Sequence, residues 1–371
     1  MYRETQFIGH CLRGLERMYI QSEQVFSASY LVKAGRATNL RHRDQEYRYT
    51  MNTLMGIHRV RAAGAEVFFD VESCYRHLAA MVAQQSSSVE NIAATVWAGR
   101  CLGLEVPAEA LSLFRGVLES AARSRKLTAQ GLAWAIAACA EGTREYWDKA
   151  NGLARVAIER YIHPHSMLVR HLPAGVRGDW ASFAASCYMS YAFLRLARQT
   201  ADSAVRDIGL RIARTLVKLQ GPRGQWAWFY HVPSGRVVDY YPVYSVHQHA
   251  MAPFFLLEAI DQGYIEFRDP LVRGFRWVLG ENELRQSMVD SQHHVIWRSA
   301  IRRETMSRLT RFGRALGVAY VGLPSGIAGM ESLRINTECR SYELGWALWA
   351  FAGRREFDDI LNDASFARTP R

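Results

Sequence analysis

Cysteine is scarce and scattered. The six thiols, Cys11, Cys74, Cys101, Cys139, Cys187 and Cys339, form no C-x-x-C pair in 371 residues, which excludes a disulfide scaffold and a cysteine-rich metal cluster. They sit mostly in apolar helical surroundings, where a reduced thiol behaves as a small hydrophobe. Long apolar runs are missing too. Ala133 to Ala140 is the longest candidate, far short of the ~18 residues that cross a bilayer, and the charged N-terminus has no signal-peptide core. A soluble, cytoplasmic protein is the expectation. Acidic residues are outnumbered, 35 against 46 Lys and Arg, for a net charge of +11, which favours anionic partners without naming one.

Several catalytic signatures are also absent. There is no Walker loop, no G-x-G-x-x-G after a strand and no H-E-x-x-H, and Gly322-Leu323-Pro324-Ser325-Gly326 is not a G-x-S-x-G elbow. What remains has the composition of an ordinary globular chain, 49% hydrophobic and 22% charged, with enough length to bury a substantial core.

Helical periodicity dominates. Phe7, Ile8, Cys11, Leu12, Leu15, Met18 and Tyr19 recur at three- and four-residue spacing, so a helix over 2–20 buries one face. After a polar, basic stretch from Lys33 to Arg48, read as a linker or cleft-side loop, the helical pattern returns over 49–58. Ser86, Ser87 and Ser88 with Glu90 cap a helix that Gly103 ends. Further helices follow over 107–123, 128–140, 143–161, 180–198 (capped by Asp179), 201–220, 245–262, 269–280, 299–316, 341–352 and 355–362, joined by short turns. One region alone reads as strand. Between 225 and 244, Trp226, Trp228 and Tyr230 alternate with Ala227, Phe229 and His231, the chain turns at Pro233-Ser234-Gly235-Arg236, and it returns through Val237 to Tyr241.

Successive helical hairpins with one aromatic β-hairpin between them resemble the α/α-toroid proteins. The segments that carry the resemblance are Gly224 to Tyr230, Tyr241 to His249 and Glu338 to Gly345. The superfamily includes six-hairpin glycosidases, polysaccharide lyases, glucuronyl epimerases, lanthionine-synthetase cyclases and terpenoid cyclases. The resemblance implies an all-α toroid over 1–371 as a single domain, with the hairpin inserted near 225–244. The Asp-x-Asp-Asp motif of protonating terpenoid cyclases is missing, as is the adjacent Cys-His pair of the lanthionine-type zinc site. With the basic charge, the resemblance implies an acidic saccharide or another anionic small molecule as the ligand, handled by acid/base chemistry. The alternatives are a terpenoid-cyclase-like enzyme with an apolar cavity and a non-catalytic binding protein that uses its basic exterior.

The candidate catalytic groups are Asp239, Tyr244, His247, Glu338 and Arg340, because a carboxylate, phenol or imidazole can move a proton and a guanidinium can neutralise a uronate. Trp226, Trp228, Tyr230, Tyr241 and His249 are the candidate ligand-binding groups, since flat aromatic faces cover sugar C–H surfaces. The aromatics read equally well as a plug for the toroid, and Glu338 with Arg340 and Tyr342 as a buried ion-pair cap. No cofactor and no metal are expected. His247 and His249 would point about 200° apart on a helix and share no ion. Two basic clusters, Lys33 to Arg48 and Arg298 to Arg314, read as solvated faces, with an anionic glycan or a membrane surface as sharper alternatives. Nucleic acid is disfavoured because no recognised module accompanies the charge.

Overall fold

The computed structural model describes residues 4–85, 88–304, 308–323, 325 and 330–367. In chain order its helices are α1 (Gln6–Met18), α2 (Arg43–Ala62), α3 (Val71–Gln85), α4 (Val89–Leu102), α5 (Ala108–Ser120), α6 (Ala129–Ala140), α7 (Arg144–Arg160), α8 (Phe183–Thr200), α9 (Ser203–Lys218), α10 (Ala252–Asp261), α11 (Arg268–Leu279), α12 (Arg308–Leu316), α13 (Ser341–Phe351) and α14 (Asp358–Leu361). Local chemistry sets many of their ends. Ser88 and Thr128 accept hydrogen bonds from Asn91 N and Gly131 N, and Gly103 closes α4 at φ +67°. Ser86 and Ser87, and the side chains of Arg308 and Arg311, lie outside the described residues.

Two compact units emerge. One holds Met1–Val117, Ser287–Arg298 and Thr337–Arg371; the other holds Leu118–Gln286 and Ser299–Asn336. In the first, α2 and α13 touch backbone to backbone. A Cβ on Gly56 would lie 2.1 Å from Gly345 O, and one on Gly345 would lie 2.5 Å from Thr53 Cα, so any side chain there would force the helices apart. In the second, α6, α8 and α10 are buried nearly all round, whereas α7, α9 and α11 bury one face. That alternation of enclosed and half-exposed helices is what two helical layers require. Asp202 accepts from Ala204 N and Val205 N and starts α9 right after α8, which makes this pair a tight hairpin.

The strands differ from the sequence reading. Among the described residues there are five small antiparallel sheets rather than one hairpin. Ser29–Lys33 and Arg36–Leu40 pair across Ala34 and Gly35, at φ +50° and +74°, where a loop was expected. Two positive-φ residues in succession give a turn that matches the twist of flanking strands. The helix expected over 299–316 is a strand, Ser299–Arg302, followed by α12. The strand lies between Val243–Tyr244 and Leu333–Asn336, and this pairing overrides the apparent helical spacing. The helix expected from Trp180 starts at Phe183 with Ser182, not Asp179, as its cap. Residues 180–182 pair as a strand with Phe229–His231. The aromatic hairpin is shorter than expected, running from Phe229–His231 to Arg236–Asp239 with a bulge between Phe229 and Tyr230, so Trp226 and Trp228 precede the ladder.

Candidate functional site

The candidate residues fall into two groups, one in each unit. In the second unit, Phe229 lies directly opposite both Ser182 and Asp239, and opposed residues project from the same sheet face. Trp180, two residues before Ser182, stacks flat on Phe229 with centroids 5.4 Å apart and planes 7° apart; Trp228 stacks on Phe229 at 5.3 Å. Trp228 is 38% exposed, so an aromatic ladder reaches solvent.

Asp239 borders this ladder. Arg302 grips its carboxylate with contacts of 3.0–3.1 Å, and Tyr241 N donates to its Oδ1 at 3.1 Å. The Arg302 guanidinium lies 5.0 Å over the Tyr241 ring. Beneath, Tyr241 Oη donates to Glu283 Oε1 at 3.0 Å while Trp277 Nε1 donates to Glu283 Oε2 at 2.7 Å. Both oxygens of this buried carboxylate are thereby satisfied, and Tyr241 is held rigid under the ion pair. Tyr244 meets Trp228 edge-on at 6.2 Å and His247 at 5.3 Å.

The other expected groups of this unit lie deeper. Trp226 and Tyr230 are fully buried, with Tyr230 Oη donating to Ala227 O. His247 is buried against Phe183, 4.6 Å between rings, and His249 is buried in the wide helical turn His247–Met251. Neither Trp226 nor Tyr230 presents a ring face to solvent. Asp179 pairs with Arg170 at 3.2 Å.

In the first unit the strand Glu338–Arg340 pairs with Ser29–Lys33, and the two-residue spacing puts Glu338 and Arg340 on one face. Arg298 Nη1 and Arg340 Nε both donate to Glu338 Oε1, at 2.7 and 2.9 Å. Arg340 Nη1 donates to Tyr49 Oη at 2.8 Å, and the Tyr49 ring lies 4.5 Å from that of Tyr342. Burial pushes the Glu338 carboxyl up, but the two guanidiniums outweigh it and leave it below its ordinary value. Glu343, in the first turn of α13, is wholly enclosed. Burial pushes its carboxyl up to about 7 against the pull of Arg298 and Arg340. Two carboxylates under the same pair of cations are thus driven in opposite directions, one held ionised and one made to titrate near neutrality.

The sequence reading missed Glu343, Tyr49 and the partners Arg298 and Arg302, which it assigned to a solvated basic cluster. Arg298 and Arg302 instead each hold a carboxylate. No sequence signal connects Arg302 with Asp239, 63 positions away; the acid Glu343 at the head of an apolar helix was the one visible cue. Among the described residues no group of three or more His, Cys, Asp or Glu is arranged to hold a metal, and no helix is long and apolar enough to cross a membrane.

Comparison with solved structures decides the architecture. An unsaturated glucuronyl hydrolase from a Bacillus species superposes at a TM-score of 0.58 with 14% identity, over 95% of this chain and 96% of that one. The fold is the α/α toroid. A family 88 glycosyl hydrolase from Bacteroides vulgatus matches at 0.57 with 12% identity, over 95% and 100% of the two chains. A family 76 glycoside hydrolase from a bovine Bacteroides thetaiotaomicron strain matches at 0.58 with 8% identity, over 94% and 77%. No protein-family model and no curated sequence matches the chain. The toroid expected from the hairpin pattern is therefore present, with identities at which likeness speaks for fold alone.

Proposed function

We propose that this toroid is a carbohydrate-active enzyme that processes an acidic saccharide by acid/base chemistry, as a glycoside hydrolase. The observation that carries the reading is the Trp180–Phe229–Trp228 ladder, which reaches solvent at Trp228, with Asp239 opposite Phe229 on the neighbouring strand and paired there with Arg302. Stacked aromatic faces bury the C–H surface of a sugar ring, and a carboxylate–guanidinium pair at their edge orients hydroxyls and can exchange its internal contact for a uronate carboxylate. Asp239 is then the group that exchanges a proton with the substrate, with Tyr244 beside it. The toroid likeness to hydrolases of unsaturated glucuronyl saccharides supports the same ligand class.

The test measures binding and turnover of unsaturated glucuronyl disaccharides and of neutral disaccharides. Trp228→Ala weakens the acidic saccharide about tenfold with an unchanged melting temperature, and Asp239→Asn retains binding and loses turnover. Equal affinity in wild type and Trp228→Ala would refute the platform.

A second placement of the chemistry rests on Glu338, which is ionised and 19% exposed in its side chain. There it would act as the base, with Arg298 and Arg340 receiving the anionic sugar. Loss of turnover in Glu338→Gln but not in Asp239→Asn would select it.

A further inference from the structure

In the second unit, three arginines that take no part in the aromatic ladder line a cleft. The turn after α9 is closed by Gly221 N to Gln225 O and Gly224 N to Gly221 O, both 2.9 Å, and Arg223 N donates to Gln225 Oε1 at 2.8 Å. Gly224 has φ +84°, and a Cβ there would lie 2.4 Å from Arg273 O. The turn is therefore pressed onto the backbone of α11, with Arg223 beside Arg273. On the other side, the segment after α11 is tied by Asn282, whose Nδ2 donates to Trp277 O and Gln286 O at 2.8 and 2.7 Å. It carries Arg285 at φ +51°, a left-handed backbone disfavoured for a residue with a Cβ.

Together these residues line a cleft of about 430 Å³ with Pro222, Gly280 and Glu281, a volume suited to a sugar-sized ligand. Among the described residues Arg223 and Arg285 make no ion pair, while Arg273 Nη2 donates to Gln220 Oε1. Glu281 is the one carboxylate on the wall and meets Arg276 only at 4.0 Å. The lining offers no aromatic face and only Pro222 as an apolar contact, so charge is what it can recognise. Guanidinium forks match the paired oxygens of carboxylate, phosphate and sulfate.

We propose that this cleft binds a sulfate, phosphate or carboxylate group carried on a sugar-sized ligand, at a site separate from the aromatic ladder. It stands independently of the proposed chemistry, because its lining shares no residue with the aromatic ladder, so binding here is lost with Arg223 and Arg285 and kept in Trp228→Ala. The experiment is calorimetric titration of the full chain with inorganic sulfate, pyrophosphate, a sulfated disaccharide and an unsulfated uronyl disaccharide, each at up to millimolar concentration. A charged saccharide is expected to bind, and Arg223→Gln with Arg285→Gln to weaken it by about tenfold or more without changing the melting temperature. Glu281→Gln, which removes the opposing charge, should tighten it several-fold. Equal affinity for an inorganic ion would support the site and assign it to free oxyanions. Unchanged affinity in the double variant, or no binding of any of the four probes to wild type, would overturn the proposal.

Discussion

Replacing Glu343 with Gln should make the protein more stable in mild alkali while leaving it nearly unchanged in acid. The carboxyl is fully buried and its folded-state pKa is raised from 4.5 to about 7, with burial as the main cause. Between those values the folded state holds a proton that the unfolded state has released, so stability falls as pH rises through this window and the loss is complete above the folded value. A shift of about 2.5 units at about 1.4 kcal/mol each amounts to about 3 kcal/mol. Gln reproduces the neutral acid and does not titrate. Wild type and variant should therefore differ by under about 1 kcal/mol near pH 5 and by about 3 kcal/mol near pH 8, with the variant the more stable. Urea unfolding of both proteins across this range reads the residue, because titrating groups that do not interact with Glu343 cancel in the difference. Parallel stability profiles would refute the reasoning, as would a variant less stable than wild type at pH 8; either would mean that Glu343 stays ionised against Arg298 and Arg340.

Other consequences follow from the same geometry. His10 is buried and its pKa is lowered to about 3, chiefly by burial, so the unfolded chain takes up a proton that the folded one refuses as pH falls below about 6.5; His10→Gln should recover about 3 kcal/mol near pH 4, read by urea midpoints against wild type. Trp226→Ala should cost about 3–5 kcal/mol because its ring is wholly buried, whereas Trp228→Ala should cost under about 1 kcal/mol and act on saccharide affinity instead. Gly345→Ala drives a methyl into Thr53 Cα and should lower stability by about 1–3 kcal/mol in thermal unfolding.

The sequence by itself determined most of the helices and several of their caps, and its resemblance to the α/α toroids pointed to the fold; it missed α3, placed a cap at Asp179 that Ser182 supplies, and read the strand Ser299–Arg302 as helix. A helix closes its hydrogen bonds four residues away, so Thr128, Ser88 and Gly103 carry their meaning within a single turn. The sequence also exposed the aromatic richness of 226–244, and side-chain chemistry at the ends of expected elements placed Asp239 and Glu338 among the candidates. Only the tertiary structure decided which of those side chains face solvent. Trp226 and Trp228 are two residues apart in composition and context, yet one is enclosed and the other 38% exposed, because the strand begins after them and not before. The contacts of two candidate groups are decided at still longer range, Arg302 with Asp239 across 63 residues and Arg340 with Tyr49 across 291. Short strands such as Ser299–Arg302 exist only through partners elsewhere in the chain. Burial likewise depends on everything packed around a group, which is why an ordinary glutamate in the sequence, Glu343, has its carboxyl pushed up to about 7 in the fold.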